Sequence, residues 1–194
     1  MNIIRIVLTA MIIGVFSTPS RAQDVALKSN LINDALLSPN IGVEFGLAPK
    51  WTMDINAEAN LWTVDGHKWK HAFLRPEARY WFCQRFTGHF VGVMAIGGAY
   101  NFGNLNLDLN ILGSDLSQLK DKRYQGWAAG AGILYGYAWP VHRHWNIEAA
   151  VGFGWIYTQF DSYPCAKCGT KIDRNKTHNY VGPTKAALSI VYLF

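Results

Sequence analysis

The chain has 194 residues, of which 50% are hydrophobic, 14% aromatic and only 16% charged, with a formal net charge of +5. A soluble domain carries about 25% charged residues and a dedicated nucleic-acid binder clusters its basic ones on one surface; neither pattern is present. No segment after residue 22 is an unbroken apolar run of the about 20 residues a transmembrane helix needs, so contact with an apolar environment falls to strands.

Residues 1–22 read as a secretory signal peptide. Arg5 gives a positive start, Ile6 to Phe16 is an apolar run too short to span a bilayer, and Ser20 and Ala22 supply small residues for cleavage. Residues 23–194 then form one domain. Losing Arg5 and Arg21 lowers the net charge to +3, sixteen basic residues against thirteen acidic. No cysteine lies near the cleavage point, so a lipid anchor is not expected.

Period-two alternation predicts eight strands. The first, Val25 to Ile32, sets Val25, Leu27 and Leu31 against Ala26, Lys28 and Asn30. The second, Asn40 to Leu47, sets Ile41, Val43, Phe45 and Leu47 against Gly42, Glu44 and Gly46. The third, Trp51 to Trp62, is the clearest: Trp51, Met53, Ile55, Ala57, Ala59 and Leu61 oppose Thr52, Asp54, Asn56, Glu58 and Asn60. In the fourth, Ala72 to Phe82, the apolar set opposes Arg75, Glu77 and Arg79, and Pro76 calls for a bulge or irregularity. The fifth, His89 to Phe102, is glycine-rich and its register is not legible. The sixth, Tyr124 to Trp139, and the seventh, Trp145 to Tyr157, each set large apolar residues against glycines, with Glu148 on the polar side of the seventh. The eighth, Asn179 to Phe194, alternates Phe194, Tyr192, Ile190, Leu188 and Ala186 with a set that includes Lys185.

The connections alternate in length. Those after strands two, four and six are short, and those after three, five and seven are longer, as in an up-and-down membrane barrel. The polar faces carry small residues and charges of both signs, which suits a lumen only wide enough for its side chains. A soluble lipocalin-like barrel would reverse the faces. Trp51, Phe82, Trp139, Trp145 and Tyr192 fall near one set of strand ends and Trp127, Trp155, Tyr157 and Tyr180 near the other, giving two aromatic belts. The expectation is an all-β, eight-stranded antiparallel up-and-down transmembrane β-barrel. Its apolar closing strand would be an aggregation hazard in water, and it resembles the terminal signal of bacterial outer-membrane barrels.

The stretches ALKSNLINDALLSPNIGVEF (Ala26 to Phe45), RPEARYW (Arg75 to Trp81), GWAAGAGILYGY (Gly126 to Tyr137) and GPTKAALSIVYLF (Gly182 to Phe194) span most of the chain. With them the sequence resembles a family of small outer-membrane β-barrel proteins of unknown function from anaerobic gut and oral Gram-negative bacteria. The resemblance implies an outer-membrane location and carries no activity or catalytic residue. Some relatives are linked to fimbria assembly loci, which hints at an envelope or adhesion role.

Candidate sites follow from the faces and loops. Lys28, Glu44, Asp54, Glu58, Arg75, Glu77, Arg79, Glu148 and Lys185 form a luminal ion-pair network, with an ion or proton path as the alternative. Cys165 and Cys168 in the last long loop are a candidate disulfide. A redox pair, a metal site completed by His178 or His71, and two reduced thiols remain open for them. Cys83 has no evident partner, and His142 and His144 read as solvated. A lipid-modifying enzyme would need His67, His71 or His178 to meet Ser162, and no serine motif supports it. Loop cations (Lys68, Lys70, Lys120, Lys122, Arg123, Lys167, Lys171, Arg174 and Lys176) suit lipopolysaccharide phosphates or plain solubility. The expectation is a non-enzymatic envelope protein without a cofactor. Its partners are outer-membrane lipid and lipopolysaccharide and an envelope or fimbrial protein, not nucleic acid. A lipid-modifying enzyme and a narrow solute or ion pore are the alternatives.

Overall fold

Alternating side chains favour extended backbone with two unlike faces, and here that pattern produces eight strands whose pairing returns to its start. The computed structural model describes residues 24–64, 67–103, 110–111, 114–115, 123–164 and 172–194. The signal region 1–22, Cys165, Cys168, Lys120, Lys122, Lys167 and Lys171, and the side chains of His67 and Lys68, lie outside what it describes. The ring strands are β1 (Val25–Asn30), β2 (Asn40–Ala48), β3 (Trp51–Asn60), β4 (His67–Trp81), β5 (Gly88–Gly103), β6 (Arg123–His142), β7 (Trp145–Tyr163) and β8 (Asp173–Leu193). Each pairs antiparallel with the next, and β8 closes on β1 from Ala26 opposite Leu193 to Asn30 opposite Ser189. A two-residue strand, Thr63–Val64, folds back on the start of β4, and Asn110–Ile111 pairs with Ser114–Asp115. Among the described residues no helix is long and apolar enough to cross a membrane.

The register fixes the geometry of closure. Trp145 lies opposite Tyr192, Tyr192 opposite Leu27, Leu27 opposite Val43, and Val43 opposite Ile55. Ile55 faces Pro76, which the flanking pairs Leu74–Gly97 and Glu77–Met94 set level with Ala95. Ala95 faces Ala131, which faces Trp155. One circuit therefore climbs from Trp145 to Trp155, ten residues along β7. With about 3.3 Å per residue and about 4.7 Å between strands, that stagger tilts the strands about 40° from the ring axis.

Several expected boundaries move. The first strand stops at Asn30 rather than Ile32, and Leu31–Ala35 turn into a short helix, α1, because the Asn30 side chain accepts from the Ile32 N–H as an N-cap. β3 ends at Asn60, while β4, β6, β7 and β8 run well into segments expected as loops. Pro76 causes no bulge. The β4–β5 register is the same on both sides of it, and only the Arg75 and Pro76 rungs drop out. One of the register shifts lies in β8, where Gly152 faces Lys185 but Phe153 faces Pro183, leaving Thr184 as the extra residue. One inserted residue reverses every face beyond it. Tyr180, expected in an outer aromatic belt, shares its face with buried Gly182, while Val181 is exposed.

The outer surface is apolar over a long stretch. On β7 the outward positions from Trp145 to Trp155 are Trp145, Ile147, Ala149, Val151, Phe153 and Trp155. Among the described residues, no Asp, Glu, Lys or Arg points outward between those two levels on any ring strand. Trp51 packs on Tyr80, Tyr137 on Trp139, and Trp145 on Tyr192 at the end with short turns. Trp127 and Trp155 both contact Tyr157 at the other end, their indole N–H groups donating to Gln159 and Asn179.

Candidate functional site inside the ring

The inward positions stack in three layers. At the turn end Ala26, Trp81, Phe86, Phe90, Met94, Leu134, Ala138, Ala150, Ala187, Val191 and Leu193 form an apolar plug. The face pattern alone does not foretell it, since Phe86 belongs to a turn. That residue adopts a left-handed backbone (φ 63°), and its carbonyl accepts from the Asn146 amide at 2.6 Å. The glycines opposite serve as seats: a Cβ on Gly136 would lie 2.4 Å from the Phe90 ring, and one on Gly152 2.9 Å from the Met94 methyl.

Above the plug sit the charges. Arg79, 1% exposed, lies 4.9 Å over the Phe90 ring and reaches carboxylates from four strands. Its guanidinium is 3.1 Å from Glu44, 2.5 Å from Asp54, 2.6 Å from Glu77 and 3.1 Å from Glu148. A planar fork with five donors suits such a hub better than a point charge. Lys28 bridges Glu44 and Glu148 (2.7 Å), with Asp54 at 3.4 Å, and Lys185 takes the other oxygen of Glu77 at 2.5 Å. Thr52 donates to Glu44 and accepts from the Trp81 indole at 2.9 Å, which joins plug to network. Asp54 is held by charge alone, neither oxygen meeting a well-oriented donor. Arg75 and Glu58 form a separate pair at 3.0 Å nearer the loop end, where Asn33 of α1 also donates to Glu58. The space left among these groups is about 10 Å³, room for about one water.

The third layer is aromatic. Trp69 stacks on Phe102 at 4.7 Å, Phe102 on Tyr100 at 5.1 Å, and the Tyr100 hydroxyl meets Thr158 at 2.5 Å. The His71 ring lies among them with Nδ1 3.2 Å from the Trp69 carbonyl, and the Ser162 hydroxyl donates to Asp173 at 3.0 Å. His144, expected in solvent, is half-buried and donates from Nδ1 to the Leu193 carbonyl at 2.9 Å, pinning the closing strand. Cys83 is exposed and free. Among the described residues no group of three or more His, Cys, Asp or Glu side chains is arranged to hold a metal ion.

A family profile described as "Protein of unknown function (DUF3575)" matches residues 6–194. No curated protein matches the chain.

Proposed function

The chain belongs to the DUF3575 family, whose function is unknown, and from that premise we propose an outer-membrane β-barrel of a Gram-negative bacterium. Its role is non-enzymatic, structural or interacting in the cell envelope, through the end of the barrel that carries the long connections. The observation behind this reading is the outer surface. Ten residues of β7 tilted by about 40° rise about 25 Å, so the uncharged belt between Trp145 and Trp155 matches the apolar band of about 25 Å on outer-membrane barrels. Aromatic rows at both borders fit the two membrane interfaces. Closure of β8 on β1 pairs the strand edges over the lower part of the belt, as hydrocarbon requires, and so large an apolar surface in water would drive association.

At the loop end, exposed Arg174 and Lys176 suit lipopolysaccharide phosphates, and the long connections suit an envelope or fimbrial protein partner. Nucleic acid is no partner on this reading. A solute or ion pore is the weaker alternative, because an apolar plug and a charge network occupy the interior. For a lipid-modifying enzyme the serine in question, Ser162, donates to Asp173.

Membrane fractionation of the full chain expressed in a Gram-negative host tests the proposal. The expected result is recovery in the outer-membrane fraction, with a band whose mobility changes on boiling in detergent. Recovery in the aqueous fraction without detergent would overturn it.

A further inference from the structure

The ring is not equally tall all round. With about 2.5 Å of height per residue and about 3 Å gained per strand, Asn30 ends β1 about 14 Å above the level of Trp145. Asn40 begins β2 at about 17 Å, whereas Trp155 and Asn60 stand at about 25 Å. Between β8 and β3 the upper part of the wall therefore contains no strand.

Residues 31–39 fill that notch. Asn30 donates to the Ala186 carbonyl (3.2 Å) and accepts from the Leu188 N–H (3.0 Å) on the β8 side. On the β3 side the Ala59 N–H donates to the Pro39 carbonyl (3.1 Å) and the Asn60 amide to the Leu37 carbonyl (2.8 Å). Asn33 turns inward and donates to Glu58, while Asp34 accepts from Ser29, on the outward face of β1, at 2.7 Å and from Asn40 at 2.9 Å. Leu31, Ile32, Leu36 and Leu37 turn outward, 41%, 39%, 58% and 52% exposed. Several backbone donors of the segment are satisfied locally. Leu36, Leu37 and Ser38 N–H groups donate to Ile32, Asp34 and Asn33 carbonyls, and Ile32 N–H to the Asn30 side chain. An unpaired backbone group in hydrocarbon costs several kcal/mol, so these bonds lower the cost of non-strand backbone at this height. Leu37 has φ 56°, in the left-handed region that usually falls to glycine after a helix. A leucine held there against its conformational preference, with its side chain outside, has a use for that side chain.

We propose that α1 and Leu36–Leu37 form a lipid-facing panel whose occupant is the acyl chains of the adjoining leaflet. The panel completes the apolar belt where β1 and β2 stop short. Asn33 of α1 meanwhile reaches inward to the Arg75–Glu58 pair. The inference rests on the membrane-barrel reading. Its support is the continuity of exposed apolar side chains at the height of the belt, together with the hydrogen bonds that hold both polar side chains of α1, Asn33 on Glu58 and Asp34 on Ser29 and Asn40.

The test is site-directed spin labelling of the full chain carrying Cys83→Ser, Cys165→Ser and Cys168→Ser, in phosphatidylcholine vesicles. One label is placed at Leu36→Cys and a control at Val151→Cys, midway up the belt; Ile32→Cys serves if Leu36→Cys does not assemble. The expected result is that both labels relax strongly with oxygen and are shielded from a water-soluble nickel chelate. A Val151 label in lipid with the Leu36 label open to nickel overturns the panel and leaves the barrel standing. A Leu36 label shielded from both reagents, or broadened by a neighbouring label, shows a protein occupant and also overturns it. A Val151 label open to nickel removes the barrel reading and the panel together.

Discussion

At the scale of single residues, Arg79 is the group on which the interior depends. It alone reaches Glu44, Asp54, Glu77 and Glu148, and without it Lys28 and Lys185 would face four buried carboxylates. Breaking a buried charge set by deleting one partner costs about 3–5 kcal/mol, because the remaining charges stay desolvated. Arg79→Ala is therefore expected to lose stability of that order, read as a lower thermal unfolding transition by circular dichroism in detergent. Arg79→Lys should recover only part of the loss, since one ammonium cannot serve carboxylates on four strands as a fork does. An unchanged transition in Arg79→Ala would refute a stabilising network. The alternation put these charged residues on one face, and that much is legible in the sequence. Which oxygen meets which nitrogen is not, because it depends on the ten-residue stagger that brings Glu148 of β7 across to Lys28 of β1.

Among the elements, the short ones carry the departures from simple alternation. Leu31 has the parity of Leu27, so counting in twos extends the first strand through it. The competing signal was local: Asn30 followed by Asn33 and Asp34, residues that bond nearby backbone and end a strand. A five-residue helix is too short to show a 3.6-residue period. Asn30→Ala removes the N-cap and both bonds to β8, and is expected to cost about 1–2 kcal/mol in urea unfolding. A midpoint that does not move would mean that the helix is held by its contacts alone. The bulge at Thr184 is a second such case. Pro183 cannot donate to a ladder, and it was the available hint that the count in twos fails beyond Lys185. Phe86 is the third: alternation assigns faces only to strands, so a turn residue folded into the plug carries no periodic signal.

Taken whole, the molecule is a wall of unequal seams around a closed interior. Among the described residues the layers follow one another from Phe86 and Trp81 through the Arg79 network to the Trp69–Phe102–Tyr100 stack. Planar bilayers containing the protein are accordingly expected to stay at bare-bilayer conductance, and discrete channel steps would contradict the filled lumen. The seams differ much more than the layers. Among the described residues β6 and β7 face each other at nineteen positions, while β1 meets β8 at five and β2 at four. Resistance to local opening rises with such shared hydrogen bonding and packing, so the weak arc is β1, α1 and the start of β2. It is fastened by the Asn30 bonds to β8, by Lys28 on Glu148 and, at the turn end, by the Phe194 N–H on the Val25 carbonyl. In hydrogen exchange of the folded protein, amides of β1 and α1 should exchange well before those facing each other at mid-height on β6 and β7. Equal protection around the ring would mean that the arc is held by something other than its own ladder, and lipid packed against Leu31, Ile32 and Leu36 would be the first place to look.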